Sequence, residues 1–229
     1  DPASEDALTS SIHRNQFDLD RHNLLETFEK HTKALLADPE ASVRRAMLRS
    51  VSDLCVFFGS PRANDVVLSH LNTYLNDPDW MLKCAFFEAI VGVAVFVGGA
   101  SLEGYILPLM VQALTDPEEF VVEKVIRAFS SMAELGLFQR SKTWELVDIV
   151  ARLTMHPNVW IREAAAQFIS TASKYLSIAD THSILVNLIK PYLKIVPSDF
   201  SELRVLDSLK RPLPRLVLEM ACNWAIHPQ

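Results

Sequence analysis

The side chains of this sequence that could perform chemistry form no recognisable catalytic or ligand-binding motif. The glycine-rich segment from Gly98 to Gly104 lacks the glycine spacing of a phosphate-binding loop or of a nucleophile elbow. The 7 histidines include no pair four residues apart, the spacing that a helical zinc site uses. Cys55, Cys84 and Cys222 show no paired spacing, so we interpret them as structural core thiols in a reducing compartment. We therefore expect no catalytic residue, no metal site and no cofactor.

The elements of the chain are set by a repeat that is marked by prolines. Four prolines recur at intervals of 39, 39 and 40 residues, each after an Asp or a His: Asp38-Pro39, Asp77-Pro78, Asp116-Pro117 and His156-Pro157. A fixed period in this range is typical of a helical solenoid, in which each helix pair buries its apolar face against its neighbours. The repeat therefore predicts an all-α fold, an α-solenoid of about five helix pairs.

The repeats share apolar columns that predict which face of each second helix is buried. The fourth position after the proline is apolar in every repeat, as is the twelfth: Val43, Leu82, Val121 and Ile161, then Val51, Ile90, Phe129 and Ile169. Further apolar residues at positions 7 or 8 and 15 complete the spacing of one helix face, with Lys124 as the outlier.

Proline and glycine mark the predicted helix boundaries. Proline disfavours a helix at the residue before it and suits the first helical position, so we expect second helices to start at the prolines. We expect these second helices to end at Phe58, Val97, Leu135 and Leu176, with first helices at His22–Ala37, Ala63–Asn76, Leu102–Thr115, Lys142–Met155 and Thr181–Val196. The aspartates before the prolines are predicted N-caps, and glycines are predicted C-caps: Asp38, Asp77 and Asp116, then Gly59, Gly98 and Gly136.

The chain divides into a predicted arm and one predicted domain. Residues 1–19 are polar and unpatterned, so we expect a mobile N-terminal arm, followed by a single solenoid domain over residues 20–229. The fifth repeat is degenerate, because Pro212 and Pro214 interrupt it before a last apolar helix around Leu216–Ala225. The uncharged stretch Ala89–Ser101 is shorter than the roughly 20 residues that span a bilayer, so we expect a soluble chain, and a fragment of a longer protein.

Two surfaces of a solenoid with this pattern are candidates for partner binding. Positions six and ten after the prolines lie opposite the apolar columns, and six of their eight residues are charged. Four of these are candidate partner-binding residues: Arg45, Arg49, Glu88 and Arg127. They either line a binding face or are merely solvated. Three aromatic residues follow the turns, and they either anchor a partner or pack onto the adjacent repeat: Trp80, Phe120 and Trp160.

The pattern Asp-Pro-x-x-x-Val-Arg in the first repeat resembles HEAT repeats over nearly all of residues 21–196. In that family, the turn aspartate and the helix arginine commonly form a ladder between repeats. The resemblance implies that the turn aspartates pair with Arg44 and Lys83, whereas Val122 and His156 interrupt the ladder after the second repeat.

A narrower resemblance is carried by several runs of sequence. Asp38 to Leu48, Asp53 to Gly59, Ala63 to His70, Ala85 to Ala94 and His156 to Arg162 are similar to the HEAT region of the protein-kinase-like regulatory subunit of the class III phosphatidylinositol 3-kinase complex. In that family the region links a kinase-like domain to a WD-repeat propeller. The resemblance implies a non-catalytic scaffold in autophagy and endosomal sorting, with the lipid kinase catalytic subunit and a coiled-coil autophagy subunit as protein partners. It also implies a cytoplasmic location, peripheral on endosomal or autophagic membranes through the full complex.

Two other functions fit the same architecture. A transport adaptor similar to karyopherins or coat adaptors would capture protein cargo, and a base-excising glycosylase is the third possibility. The net charge of −6 and the mixed charges at positions six and ten disfavour a nucleic-acid substrate, which requires a continuous basic groove.

Overall fold

The computed structural model describes the backbone of residues 2–226 and the side chains of residues 14–70 and 73–225. Every regular segment in this part of the chain is a helix, apart from one isolated antiparallel bridge between Leu193 and Leu209. The α-helices are α1 Pro2–Leu36, α2 Ala41–Leu48, α3 Val51–Phe58, α4 Ser60–Ala63, α5 Ser69–Tyr74, α6 Trp80–Val97, α7 Gly99–Ser101, α8 Leu107–Ala113, α9 Glu119–Glu134, α10 Arg140–Leu153, α11 Val159–Lys174, α12 Ile178–Asp180, α13 Val186–Ile189, α14 Glu202–Ser208 and α15 Arg215–Ile226.

The helices pair into repeats that stack in chain order. The second helices contact one another in sequence, from α2 to α6, α9, α11 and α14. One-turn π-helical segments join short helices into the first helices of repeats 2, 3 and 5: Asn64–Leu68, Leu102–Ile106 and Thr181–Leu185. The predicted all-α solenoid of about five helix pairs is confirmed.

The predicted facing of the second helices is confirmed by burial. Leu82 and Ile90 of α6 are at most 1% exposed and lie in the continuous core. The side chain of Glu88, on the opposite face, is 60% exposed. Apolar residues on one helix face therefore build a core that runs from repeat to repeat.

The predicted N-caps at the turn aspartates are wrong by two residues. Each second helix begins two residues after its proline, so the residue that follows the proline occupies the N-cap position: Glu40, Asp79, Glu118 and Asn158. The aspartate before the proline accepts a hydrogen bond from the backbone N–H two residues later, which forms an Asx-turn. In repeat 4, Nδ1 of His156 accepts the equivalent bond from Asn158 at 3.0 Å. The turn is thus conserved in geometry although its residue type changes.

Glycines end the second helices of the first three repeats, as predicted. Gly59 and Gly98 have φ of 80° and 83°, and Gly136 has φ of 68°, a region that favours glycine. Another glycine allows close packing between repeats 1 and 2. A Cβ built on Gly92 of α6 would lie 2.1 Å from Oγ of Ser52 in α3.

The second helix of repeat 1 is not continuous, in contrast to the prediction. α2 ends at Leu48 and α3 begins at Val51, with a turn at Arg49 and Ser50 between them. The backbone N–H groups of Arg49 and Ser50 donate to the carbonyl oxygens of Ala46 and Met47, three residues earlier in each case. These bonds replace the α-helical hydrogen-bond pattern locally.

The predicted arm is helical in the structure, continuous with α1, except for Asp1, which lies outside the described residues. Residues 14–19 are exposed. The helix is held to the solenoid further along, where Thr32 and Leu36 are buried and the hydroxyl of Tyr74 donates to the Leu36 carbonyl at 2.5 Å. Mobility of residues 1–19 stays a prediction.

The second helix of the fifth repeat, α14, is short, and the degenerate character of this repeat stays a prediction. α14 packs on α11, and the segment after it runs without a helix until α15. The final helix predicted around Leu216–Ala225 corresponds to α15, most of whose described side chains are exposed. Residues 227–229 of the predicted domain lie outside the described residues.

Candidate partner-binding surface

Charged side chains at positions six and ten form contacts between repeats. Nζ of Lys124 lies 2.7 Å from Oε1 of Glu88 in the preceding repeat. Arg127 pairs with Glu123 on its own helix and donates to Oε1 of Gln167, in the following repeat, at 2.7 Å. These contacts link α6, α9 and α11, and we call the residues of positions six and ten together with Lys124 the polar strip.

At the N-terminal end of this strip, α2 and α6 enclose a groove of about 730 Å³. Arg45, Arg49, Trp80 and Glu88 all line it. Arg45 makes only a 3.8 Å contact to Asp79 and a hydrogen bond to the Met81 sulfur. Arg49 has no ion pair among the described residues. Four of the seven predicted partner-binding residues therefore line this groove. Its two arginines have few carboxylate partners within the described part of the chain.

The three aromatic residues that follow the turns stack on one another. The ring centroids of Trp80 and Phe120 are 5.4 Å apart, as are those of Phe120 and Trp160. The predicted packing onto adjacent repeats is therefore confirmed. The stack is also accessible, because the three side chains remain 37%, 45% and 50% exposed. We call Trp80, Phe120 and Trp160 the aromatic stack.

The turn ladder implied by the HEAT resemblance is present in the first two repeats. Nη2 of Arg44 lies 2.5 Å from Oδ2 of Asp77, and Nζ of Lys83 lies 2.7 Å from Oδ2 of Asp116. Asp38 has no cation partner among the described residues. The ladder thus orients the turns, and with them the aromatic stack.

A different polar cluster replaces the third rung, where Val122 is buried. Arg215 donates two hydrogen bonds to the Glu119 carboxylate, at 2.8 and 3.2 Å, and Asn158 donates a third at 2.6 Å. These bonds, led by that from Arg215, lower the pKa of Glu119. Burial lowers the pKa of His156, although the Glu119 carboxylate opposes that shift.

Sequence reasoning missed this cluster. Arg215 is 96 residues from Glu119 and belongs to no repeat, so periodicity gives no signal for the contact. The proline pair at 212 and 214 marks the segment that brings Arg215 back across the turn, where Leu213 N–H donates to the Met155 carbonyl.

Two of the three cysteine side chains are buried and the third is exposed. Burial raises the pKa of both Cys55 and Cys84 to about 11, so they stay protonated at neutral pH. Cys222 is exposed, which corrects its predicted place in the core. Within the described part of the chain, no three His, Cys, Asp or Glu residues are grouped so that they could hold a metal ion.

One helix of the described residues, α6, is long and apolar enough to cross a membrane by length and composition, with a mean hydropathy of 1.9. It lies between α2, α3 and α9, with residues such as Leu82 and Phe86 in the core. Packing inside the solenoid accounts for its apolar composition.

Comparison with known proteins identifies the family. The family model "PIK3R4-like, middle domain" matches residues 2–222. The chain is 49% identical over 197 residues to serine/threonine-protein kinase vps15 of Schizosaccharomyces pombe, a match that covers 86% of this chain and 12% of that protein. It is 39% identical over 203 residues to serine/threonine-protein kinase VPS15 of Saccharomyces cerevisiae, covering 89% of this chain and 14% of that protein. The matched region is thus a small part of each relative.

A solved structure supports the fold alone. The structure described as "Crescerin uses a TOG domain array to regulate microtubules in the primary cilium" matches with a TM-score of 0.52 and 16% identity, over 85% of this chain and 79% of that one. Together with the sequence matches, it explains the stacked helix pairs as a HEAT-like solenoid. The chain belongs to the PIK3R4-like middle-domain family, the HEAT-like region of the phosphatidylinositol 3-kinase regulatory subunit.

Proposed function

We propose that this chain is a non-catalytic scaffold region that organises the class III phosphatidylinositol 3-kinase complex in autophagy and endosomal sorting. The observation that carries the proposal is the aromatic stack, which stays accessible across three repeats beside the α2–α6 groove. Large aromatic and arginine side chains supply most of the binding energy in protein interfaces. Because the repeats already hold the stacked rings in place, binding of a partner would order these side chains at little further cost in entropy.

The charge distribution supports a protein partner over a nucleic acid. The polar strip mixes cations and carboxylates, as in the Lys124–Glu88 pair, and the chain carries a net charge of −6. A phosphate backbone requires a continuous run of cations. Protein surfaces with complementary charge patterns match such a strip and gain specificity from it.

The non-catalytic assignment is supported by the state of the buried thiols. With a pKa of about 11, Cys55 and Cys84 supply no thiolate at neutral pH. The proposed partners are the lipid kinase catalytic subunit and the coiled-coil autophagy subunit, with no nucleic acid. The proposed location is cytoplasmic, peripheral on endosomal or autophagic membranes, with membrane association only through the full complex.

The proposal is tested by measuring binding of the purified chain to each of the two purified subunits by biolayer interferometry. We expect one subunit at least to bind, and we expect replacement of the whole aromatic stack by alanine to weaken that binding by at least about 30-fold, because even one anchor of this type contributes about 2 kcal/mol or more. Replacement of Arg45, Arg49 and Arg127 by glutamate tests the polar strip in the same assay.

The matched control replaces Tyr105 and Ile178, whose side chains are 66% and 81% exposed on the first helices. This variant should bind like the parent chain, and circular dichroism should show that every variant keeps its helicity. If the parent chain binds neither subunit, the scaffold proposal fails and the transport-adaptor alternative is tested next with protein cargo.

A further inference from the structure

The arginine at the ladder position of repeat 4, Arg162, has no carboxylate partner among the described residues. Nη1 of Arg44 donates to its own turn carbonyls, at Asp38 and Pro39, while Nη2 binds Asp77 of the next turn. Arg162 holds the same place in repeat 4, and its Nη1 donates to the carbonyls of His156 and Pro157 at 2.9 and 2.8 Å. No described carboxylate lies within 4 Å of the Arg162 guanidinium. Arg162 therefore lacks the carboxylate that Asp77 supplies to Arg44, and we call this unfilled position the open rung.

The next turn contains an aspartate that does not close this rung. Asp199 accepts hydrogen bonds from the N–H and hydroxyl of Ser201 and lies 3.9 Å from Arg204. The Leu193–Leu209 bridge brings the end of α14 close to Arg162 instead. In the fifth repeat, therefore, the turn aspartate does not lie against Arg162, and the space beside Arg162 stays open.

That space is a basic pocket of about 610 Å³ between α11 and α14. Its charged lining consists of four cations and two carboxylates: Arg162, Lys194, Lys210 and Arg211, with Glu163 and Asp207. Lys210 donates to the Pro191 carbonyl at 2.7 Å. Within the described residues none of the four cations has an ion pair, whereas Arg44, Lys83 and Lys124 each have one at 2.7 Å or less. This excess of positive charge lies in a chain whose net charge is −6.

We propose that this pocket binds an acidic segment of a partner protein, and that one carboxylate of the segment fills the open rung at Arg162. The chemistry follows from the ladder, in which a carboxylate fills the equivalent position at Arg44 and at Lys83. Arginine binds carboxylates through directed, charge-assisted hydrogen bonds. Lys194 and Arg211, which are exposed, attract the flanking acidic residues of the segment.

The shape of the pocket favours a protein segment over an anionic membrane. A flat bilayer reaches the exposed Lys194, Lys210 and Arg211, but a half-buried Arg162 is accessible only to a narrow chain that enters the pocket. Glu163 and Asp207 in the lining repel a continuous anionic surface, while a segment that alternates acidic and neutral residues avoids them.

The test is fluorescence anisotropy of the purified protein with a short labelled peptide in which every second residue is Asp or Glu. We expect this peptide to bind at least about tenfold more tightly than its Asn and Gln counterpart, since a charge-assisted hydrogen bond supplies an effect of that size. The double variant K194E/R211E should lose that preference. The control R21E/K30E makes the same change in net charge at exposed cations of α1 and should bind like the parent protein.

A second variant tests the rung itself. R162Q removes the charge at the open rung and should weaken the acidic peptide about tenfold, whereas R162K should retain most of the binding, because Lys83 serves in the second rung. Equal binding of the acidic and amide peptides, or full binding by K194E/R211E, would overturn the proposal. So would a K194E/R211E variant that loses binding to phosphatidylserine vesicles while keeping the peptide. The assay needs no other subunit, so its failure is distinct from failure of the scaffold proposal.

Discussion

Two lysine–carboxylate pairs of equal length differ in how much of each pair is exposed. Lys83 and Asp116 lie 2.7 Å apart with side chains 13% and 8% exposed. Lys124 and Glu88 lie 2.7 Å apart with side chains 36% and 60% exposed. Solvent compensates an exposed carboxylate that loses its partner, but it reaches a buried one poorly.

Replacing Lys83 by methionine should therefore lower the free energy of unfolding by about 1–3 kcal/mol, because Asp116 keeps a buried charge without its partner. Lys124→Met is the matched control and should cost less than about 0.5 kcal/mol. Urea denaturation of both variants measures the difference. Equal losses would show that burial does not decide the contribution of a ladder rung.

The pH dependence of stability should have a component from His156. Burial lowers its pKa in the folded chain below the ordinary value of 6.5, so the unfolded chain binds the proton more readily. The stability that depends on neutral His156 is thus complete above pH 6.5 and falls as the pH drops below that value. Glu119, with its pKa lowered from 4.5, acts only at more acidic pH.

We expect the free energy of unfolding to fall less between pH 7 and pH 5.5 in His156→Asn than in the parent chain, since an asparagine oxygen can accept the Asn158 N–H without titrating. Denaturant titrations at a series of pH values measure this. Parallel pH profiles for the two proteins would contradict the assignment.

At the residue scale, the resemblance to HEAT repeats implied the ladder cations, whereas the helix caps predicted from the sequence were wrong. An aspartate before a proline can cap a helix or form an Asx-turn, and both fit the same residue types. The structure shows the Asx-turn, and the cap follows the proline, as with Asp79, which accepts from Met81 N–H at 2.9 Å. Nothing in the repeat period distinguishes these two geometries.

At the scale of elements, the close contact between α3 and α6 depends on a missing side chain. Gly92→Ala would place a methyl group against Ser52 of the neighbouring helix and should cost about 1–3 kcal/mol through overpacking. Gly104→Ala is the control, because nothing lies within 4 Å of its Cβ position. It should be neutral or stabilising by up to about 1 kcal/mol. Thermal denaturation compares them, and an unaffected Gly92→Ala would mean that the helices can separate without loss.

The N-terminal extension of α1 should contribute helix but little stability. Phe17 and Leu19 are 66% and 58% exposed, and the buried anchors of α1 begin near Thr32. Deleting residues 1–19 should shift the Tm by less than about 2 °C while lowering the ellipticity at 222 nm. A larger fall in Tm would show that the extension is docked on the solenoid.

The positions of the helices could be predicted where the prolines recur regularly, and they were predicted less well in the rest of the chain. The apolar residues at positions four and twelve of α6, α9 and α11 are all buried, so the apolar columns located the buried faces of these helices. The break between α2 and α3 left no such signal, because a local turn at Arg49 and Ser50 keeps Leu48 and Val51 both buried. Hydrophobic pattern reports burial, which a kinked helix and a straight one can share.

For the whole molecule, the repeat specified the solenoid and left its C-terminal end undetermined. Regular repeats bury one another, so a fixed period determines their order and packing. The segment after α14 instead makes contacts between distant residues, such as Arg215 with Glu119, and at the same end of the solenoid Arg162 lacks a carboxylate partner. Both features arise where the period ends.

The central claim, that this region scaffolds the lipid kinase complex through its aromatic stack, is tested most directly by site-specific crosslinking. Phe120, the middle ring of the stack, is replaced by benzoylphenylalanine in the full-length regulatory subunit, which is then assembled with the lipid kinase catalytic and coiled-coil subunits. The same residue at the exposed Tyr105 is the control. We predict that position 120 crosslinks to one of the two subunits and that position 105 does not. An assembled complex in which position 120 crosslinks to neither subunit would contradict the account.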